Sequence, residues 1–113
     1  MKVAITSTGD SLDEKLDQRF GRCAYFVIYN SITGGMEFLP NPNRDLEIEA
    51  GTASVKLLSS RNIEKIISGE FGERIKPILD SLKIQMIVIK TPNKTIREII
   101  DLLRLAEYKN HKD

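Results

Sequence analysis

The sequence predicts a single α/β domain: a five-stranded mixed sheet with one antiparallel strand and helices on both faces. Three observations carry this reading. The chain has 113 residues, 41% of them apolar, which is enough for one core and too little for two. Two strand-like runs flank a glycine pair early in the chain, which predicts a hairpin. After about residue 50, helical and strand periods alternate, the pattern of parallel strands joined by right-handed crossovers.

The elements follow in order. Residues 2–6 (KVAIT) form a β-branched run closed by Ser7-Thr8-Gly9-Asp10, a polar stop that opens a loop. Leu12, Leu16 and Phe20 are spaced four apart, but Gly21 and the density of charge favour a long ordered loop over 11–22. Residues 25–30 (YFVIYN) and 36–39 are the hairpin strands, and Pro40 and Pro42 make the second an edge. An excursion over 41–49 leads to a helix from Ala50 to about Ser60. Ile63, Ile66 and Ile67 mark a fourth strand ending at Ser68-Gly69. Phe71, Ile75, Ile78, Leu79 and Leu82 share one face of a helix over 71–82, with Pro77 either in a first turn or at a kink. Residues 85–89 predict a buried fifth strand. Thr95 is the expected N-cap of a last helix, whose stripe runs through Ile96, Ile99, Ile100, Leu102, Leu103 and Leu105. Residues 1–106 are thus expected as the domain and 107–113, which hold the only histidine, His111, as a polar tail.

Composition removes several classes of function. Seventeen Lys and Arg face sixteen Asp and Glu, so no global charge favours nucleic acid or a membrane surface. One cysteine forms no internal disulfide, and no signal segment or membrane span is visible, so a cytoplasmic protein is expected. The sequence has no GK[ST] phosphate loop, GxGxxG, HExxH or CxxC. Metal-dependent nucleases of ribonuclease-H-like arrangement need carboxylates on the first strand, and residues 2–6 hold none. No base, nucleophile and orienting group come together, so the chain is read as a non-enzyme.

The remaining candidate site is the stretch RFGRC, residues 19–23. Arg19 and Arg22 flank Gly21, and their charge would favour the thiolate of Cys23, the form that binds soft metals. The competing reading makes Cys23 a small buried apolar residue and pairs the arginines with Glu14 and Asp17. Ser7, Thr8 and Gly9 lie at the carboxyl end of the first strand, where open α/β sheets bind ligands, and would add donors to an anion cradle. Gly69 and Gly72 bracket a strand-to-helix turn that either extends this cradle or is simply tight.

The block SLDEKLDQRFGRCAYFVIYN, the hairpin, the NPN element and the helix opened by Ala50-Gly51 resemble the dinitrogenase iron–molybdenum cofactor biosynthesis family over residues 1 to about 106. FGRCAYF, residues 20–26, is the most specific part. The resemblance implies a ribonuclease-H-like arrangement of five mixed strands. It also implies a small non-enzymatic carrier for an iron–sulfur- or iron–molybdenum-type cluster or its precursor, working with a donor or acceptor protein. This chain departs from the family pattern in three places. Arg19 stands where relatives often carry histidine, Ser68 to Arg74 replaces a turn that often holds Gly-Gly-Ile-Gly-Pro-Asn-Ala or a cysteine, and the glycine-rich loop is shortened to Glu49-Ala50-Gly51-Thr52. Cys23 is then the sole metal-ligand candidate in the motif, and a homodimer would bring two copies together. The alternative expectation is an anion- or nucleotide-binding regulatory domain on the same fold that has lost the cluster.

Overall fold

The computed structural model describes residues 1–110. Five strands and three helices follow the expected order: β1 (Lys2–Ser7), β2 (Tyr25–Asn30), β3 (Met36–Pro40), α1 (Ala50–Ser60), β4 (Lys65–Ser68), α2 (Ile75–Ser81), β5 (Gln85–Val88) and α3 (Ile96–Asn110). The sheet order is β3-β2-β1-β4-β5. β2 is antiparallel to both neighbours, while β1, β4 and β5 run parallel. The five-stranded mixed α/β sheet read from the sequence is therefore the one observed.

Strand periodicity distributes the core between two faces. Ala4, Phe26, Ile28 and Ile66 point to one side and pack with Val55 and Leu58 of α1 and Ile75 and Leu79 of α2. Their chain neighbours Val3, Ile5, Val27, Tyr29 and Ile67 point to the other and pack with Ile96, Ile99 and Ile100 of α3. Because both faces of β1, β2 and β4 are covered, their sequences read as continuous apolar runs rather than alternating ones. The β2–β3 turn is organised by Asn30, whose side-chain oxygen accepts from the amides of Ile32 (2.9 Å) and Thr33 (3.2 Å). Only one of the two turn glycines, Gly34 at φ 76°, takes the left-handed conformation.

Three expectations need correction. The second helix begins at Ile75 rather than Phe71. Pro77 lacks an N–H and is tolerated only in a first turn, so it sets the start two residues before itself. Phe71 still enters the core, from the preceding turn, with its ring centroid 5.4 Å from that of Phe20. β5 is an edge strand with Gln85 and Val88 exposed, not a buried strand. The apolar stripe of α3 is buried only along Ile96, Ile99 and Ile100, with Leu103 partly covered, whereas Leu102 and Leu105 are half exposed.

The N-terminus of α3 follows the expected capping chemistry. The Glu98 amide donates to the Thr95 hydroxyl (3.2 Å), and the Thr95 amide donates to the Glu98 carboxylate (3.2 Å), a reciprocal capping box. The Thr95 amide, and after it the Thr95 hydroxyl (3.1 Å), donate to the Glu98 carboxylate and hold it below its ordinary range. α3 continues to Asn110, into the stretch expected as a tail. His111 and the expected remainder of that tail lie outside the described residues. Among the described residues no helix is long and apolar enough to cross a membrane.

Leu58 is fully buried between α1 and the sheet, and Leu102 is 52% exposed. Leu58→Ala should therefore cost about 2–5 kcal/mol in denaturant unfolding. Leu102→Ala should stay within roughly 0.5 kcal/mol of the parent.

Candidate functional site: a cleft beside the Arg19-Phe20-Gly21 turn

The loop after β1 crosses the carboxyl ends of β1 and β4, and hydrogen bonds to both strands fix its path. The Asp17 amide donates to the Thr6 carbonyl (2.9 Å), and the Asp17 carbonyl accepts from the Thr6 hydroxyl (2.7 Å) and the Gly69 amide (3.3 Å). A Cβ on Gly69 would come within 2.5 Å of the Gln18 backbone, so this crossing requires glycine there. The loop thus fills the place where an open α/β sheet would otherwise receive a ligand. Ser7 and Gly9 turn their polar groups on each other. The Ser7 hydroxyl turns back to donate to the Gly9 carbonyl (2.7 Å), and Gly69 is buried beneath Gln18.

Beyond the crossing, the chain drops Phe20 and Cys23 into the core and brings Gly21 against the start of α1. A Cβ on Gly21 would lie 2.6 Å from the Gly51 nitrogen and 2.7 Å from its Cα. Asn41 fixes the same turn: its buried amide donates to the carbonyls of Gly21 and Cys23 (both 3.0 Å), while its side-chain oxygen accepts from the Asn43 amide (3.0 Å). Asn41 was not singled out from the sequence. The signal was an asparagine held between two prolines, a setting in which an Asx turn is the main-chain partner available.

Gly21, the uncapped N-terminus of α1 and the turn before α2 enclose a cleft of about 820 Å³. Phe20, Ala50, Ile75 and Ile78 give it apolar walls, and Ile48 stands exposed at its edge. The charged residues are Arg19, Arg22 and Arg74 against Glu49, Glu70 and Glu73. Of the residues expected from sequence, the structure brings Arg19, Gly21, Arg22 and Gly72 to this cleft. It leaves Ser7, Gly9, Cys23 and Gly69 out of it, and Thr8 lines a separate depression on the far side of the crossing loop.

The two arginines of the motif have different roles. The Arg22 guanidinium donates to the carbonyls of Arg44 (3.2 Å), Leu46 (2.5 Å) and Glu47 (3.1 Å), so it braces the segment that leads into α1. Arg19 is 59% exposed and pairs with the buried Asp17 carboxylate at 3.4 Å, with charge still presented to solvent. Arg74, at the N-terminal end of α2, adds a third guanidinium that sequence reading did not select.

Of the two readings of Cys23, the structure shows the small buried core residue and not the thiolate. Its side chain has no solvent exposure, its Sγ donates to the Phe20 carbonyl (3.4 Å), and the Asn41 amide lies 3.8 Å from the sulfur. Burial, with the nearby Asp17 charge, pushes the thiol from 9.0 up to about 12. The arginines do not offset this, because one is turned to backbone carbonyls and the other to Asp17. Among the described residues no group of three or more His, Cys, Asp or Glu side chains is placed to hold a metal ion.

Fold and cleft together define a small α/β domain whose sheet end is closed by its own loop and whose larger cleft lies to one side. The chain belongs to the dinitrogenase iron-molybdenum cofactor family, whose model matches residues 1–105. That family is linked to metal-cluster assembly, and its members are generally non-catalytic accessory proteins. The chain is also similar to a putative NifB protein from Thermotoga solved by NMR, at 29% identity and a TM-score of 0.73, covering 90% of this chain and 85% of that one. The apo form of the orange protein from Desulfovibrio gigas shares the fold at 24% identity and a TM-score of 0.84, covering 94% and 88%. No curated protein matches the chain.

Three outcomes follow from this geometry. Native Cys23 should resist thiol-specific disulfide reagents near neutral pH and react fully in denaturant. Its raised pKa makes the neutral thiol the favoured folded form, so the stability it contributes is present below pH 9.0 and lost as pH rises toward about 12. The stability difference between the parent and Cys23→Ala should shrink over that interval. Gly21→Ala forces a Cβ into α1 backbone and should cost about 1–3 kcal/mol in urea unfolding, as overpacking does.

Proposed function

We propose that this protein carries an anionic, sulfide-faced metal cluster, of iron–sulfur or iron–molybdenum type, or its precursor, for transfer to an acceptor protein. The observation that carries the reading is the cleft itself, where the most family-like stretch of sequence meets an uncapped helix N-terminus and apolar walls. A cluster of this kind presents soft sulfide faces and net negative charge. Phe20, Ile75 and Ile78 suit the first. The Arg19 and Arg74 guanidiniums, with the main-chain N–H groups of the first turn of α1, suit the second.

The donor set argues for retention without a cysteine bond. Cys23 is sealed in the core with its proton held, and arginine has no lone pair to give a metal. Charge, N–H donation and apolar contact remain, each reversible, which suits a carrier that must release its cargo. Glu49, Glu70 and Glu73 at the rim limit how tightly a multiply charged cluster is held, in keeping with transient carriage. Delivery implies a protein partner as donor or acceptor, and the cleft is open enough to be approached from solvent.

The test is anaerobic reconstitution of the parent, Cys23→Ser and Arg19→Gln/Arg74→Gln proteins with iron and sulfide, with and without molybdate. Visible charge-transfer absorption and protein-bound metal should be equal in the parent and Cys23→Ser. In the double arginine variant they should fall by roughly tenfold or more, since about one charge-assisted hydrogen bond is lost with each guanidinium. Colour that vanishes in Cys23→Ser, or no colour in any of the three, would overturn the proposal.

A further inference from the structure

The crossing loop divides the carboxyl end of the sheet, and its far side forms a second cleft, of about 570 Å³. Thr8 after β1, residues 15–19 of the loop, and Lys90, Pro92 and Asn93 after β5 line it. Its charges are unlike those of the first cleft. Lys15, Arg19 and Lys90 face a single carboxylate, Asp17, which is already paired with Arg19. The adjacent carboxylate of Glu14 lies outside the lining and accepts from the Thr8 hydroxyl (3.0 Å).

The cations around this cleft separate into two sets. Lys94 is paired with Glu98 (3.8 Å), and Arg97 with Asp13 (3.2 Å). Lys15 and Lys90, which line the cleft, have neither an ion pair nor a side-chain hydrogen bond among the described residues. The main chain holds them in place: Leu16 donates to the Lys94 carbonyl (2.8 Å), Lys15 bridges to Thr95, and Ile89 donates to the Ser68 carbonyl (3.0 Å). Main-chain bonds thus place two exposed lysines beside one concavity, whose single lining carboxylate, Asp17, is paired with Arg19. An anion seated between them would be attracted by both ammonium groups at once.

We infer that the cleft between Lys15 and Lys90 binds a phosphate-type oxyanion, at a site separate from the cleft beside Gly21. A lysine ammonium is compact and strongly hydrated, and it pairs with hard, concentrated charge such as phosphate oxygen. The first cleft contains no lysine and has apolar walls, which suit a larger and softer anion. Arg19 lines both clefts and is the one side chain through which their occupants would sense each other. The site does not depend on cluster carriage, because Lys15 and Lys90 touch nothing in the first cleft. A free phosphate and a nucleotide present the same group to the two lysines, and the volume admits either.

The test is an amide NMR titration of the full chain with inorganic phosphate and, separately, with ADP, at ionic strength held constant with chloride. Saturable shifts should centre on residues 8, 15–19 and 90–94, and the Lys15→Gln/Lys90→Gln protein should bind roughly tenfold or more weakly. Arg74→Gln should bind as the parent does. Both lysines are exposed, so an unchanged spectrum of the unliganded double variant will show that its fold is intact. Tighter binding of ADP identifies a nucleotide as the source, and equal binding identifies the free oxyanion. Non-saturating shifts, shifts centred on residues 48–52 and 72–75, or affinity unchanged in the double lysine variant would overturn the inference.

Discussion

The contact on which the site depends is the main-chain junction at Asp17. A strand end leaves amide and carbonyl groups that need partners, and a loop laid across two strand ends must satisfy them and its own. Residue 17 does this with its amide on the Thr6 carbonyl and its carbonyl taking both the Thr6 hydroxyl and the Gly69 amide. Once that point is fixed, the geometry of the chain on either side follows. Upstream, Lys15 and Leu16 are tied to the turn before α3. Downstream, Phe20 and Cys23 reach the α1/α2 core, and Gly21 meets Gly51. The two clefts are the two sides of this one crossing.

The same crossing explains why neighbouring residues of one short motif have unrelated environments. Arg19 remains over the sheet end with Asp17. Gly21 lies at α1, Arg22 points outward to the carbonyls of residues 44, 46 and 47, and Cys23 points inward. Thiol ionisation depends on the local field and on solvent access, and here solvent access decides. A guanidinium bonded to three carbonyls does little for a sulfur sealed from water, so desolvation sets the direction of the shift.

Most of the fold was legible because its signals are local or periodic. β1, β2 and β4 are covered on both faces, so their apolar runs are unbroken, and the Thr95–Glu98 capping box sits three residues apart in the chain. The misread start of α2 had a specific cause. Phe71 falls in helical phase with Ile75, yet it reaches the same core from a turn, and periodicity alone does not separate these cases. Much less of the site was legible. Arg19, Gly21, Arg22 and Gly72 line one cleft. The bracing of Arg22 depends on residues more than twenty positions away, and the seal over Cys23 depends on Asn41, eighteen positions on. Lys15 and Lys90 are far apart in sequence and become neighbours only through the loop crossing.

The division of labour between the clefts follows from what each lining can stabilise. The first offers apolar wall, guanidinium groups and amide N–H, with carboxylates in equal number to its arginines. It therefore favours an occupant with a large polarisable surface and diffuse charge, because contact area contributes there beside the local attraction of Arg19 and Arg74. The second adds two unpaired ammonium groups to its lining, with a single carboxylate beside them, so concentrated negative charge is stabilised there. Arg19 borders both, and its partner Asp17 is the residue that anchors the loop. An anion in either cleft competes with the Asp17 carboxylate for the same guanidinium. Occupants of the two clefts would thus be coupled at Arg19, whose side chain belongs to both linings.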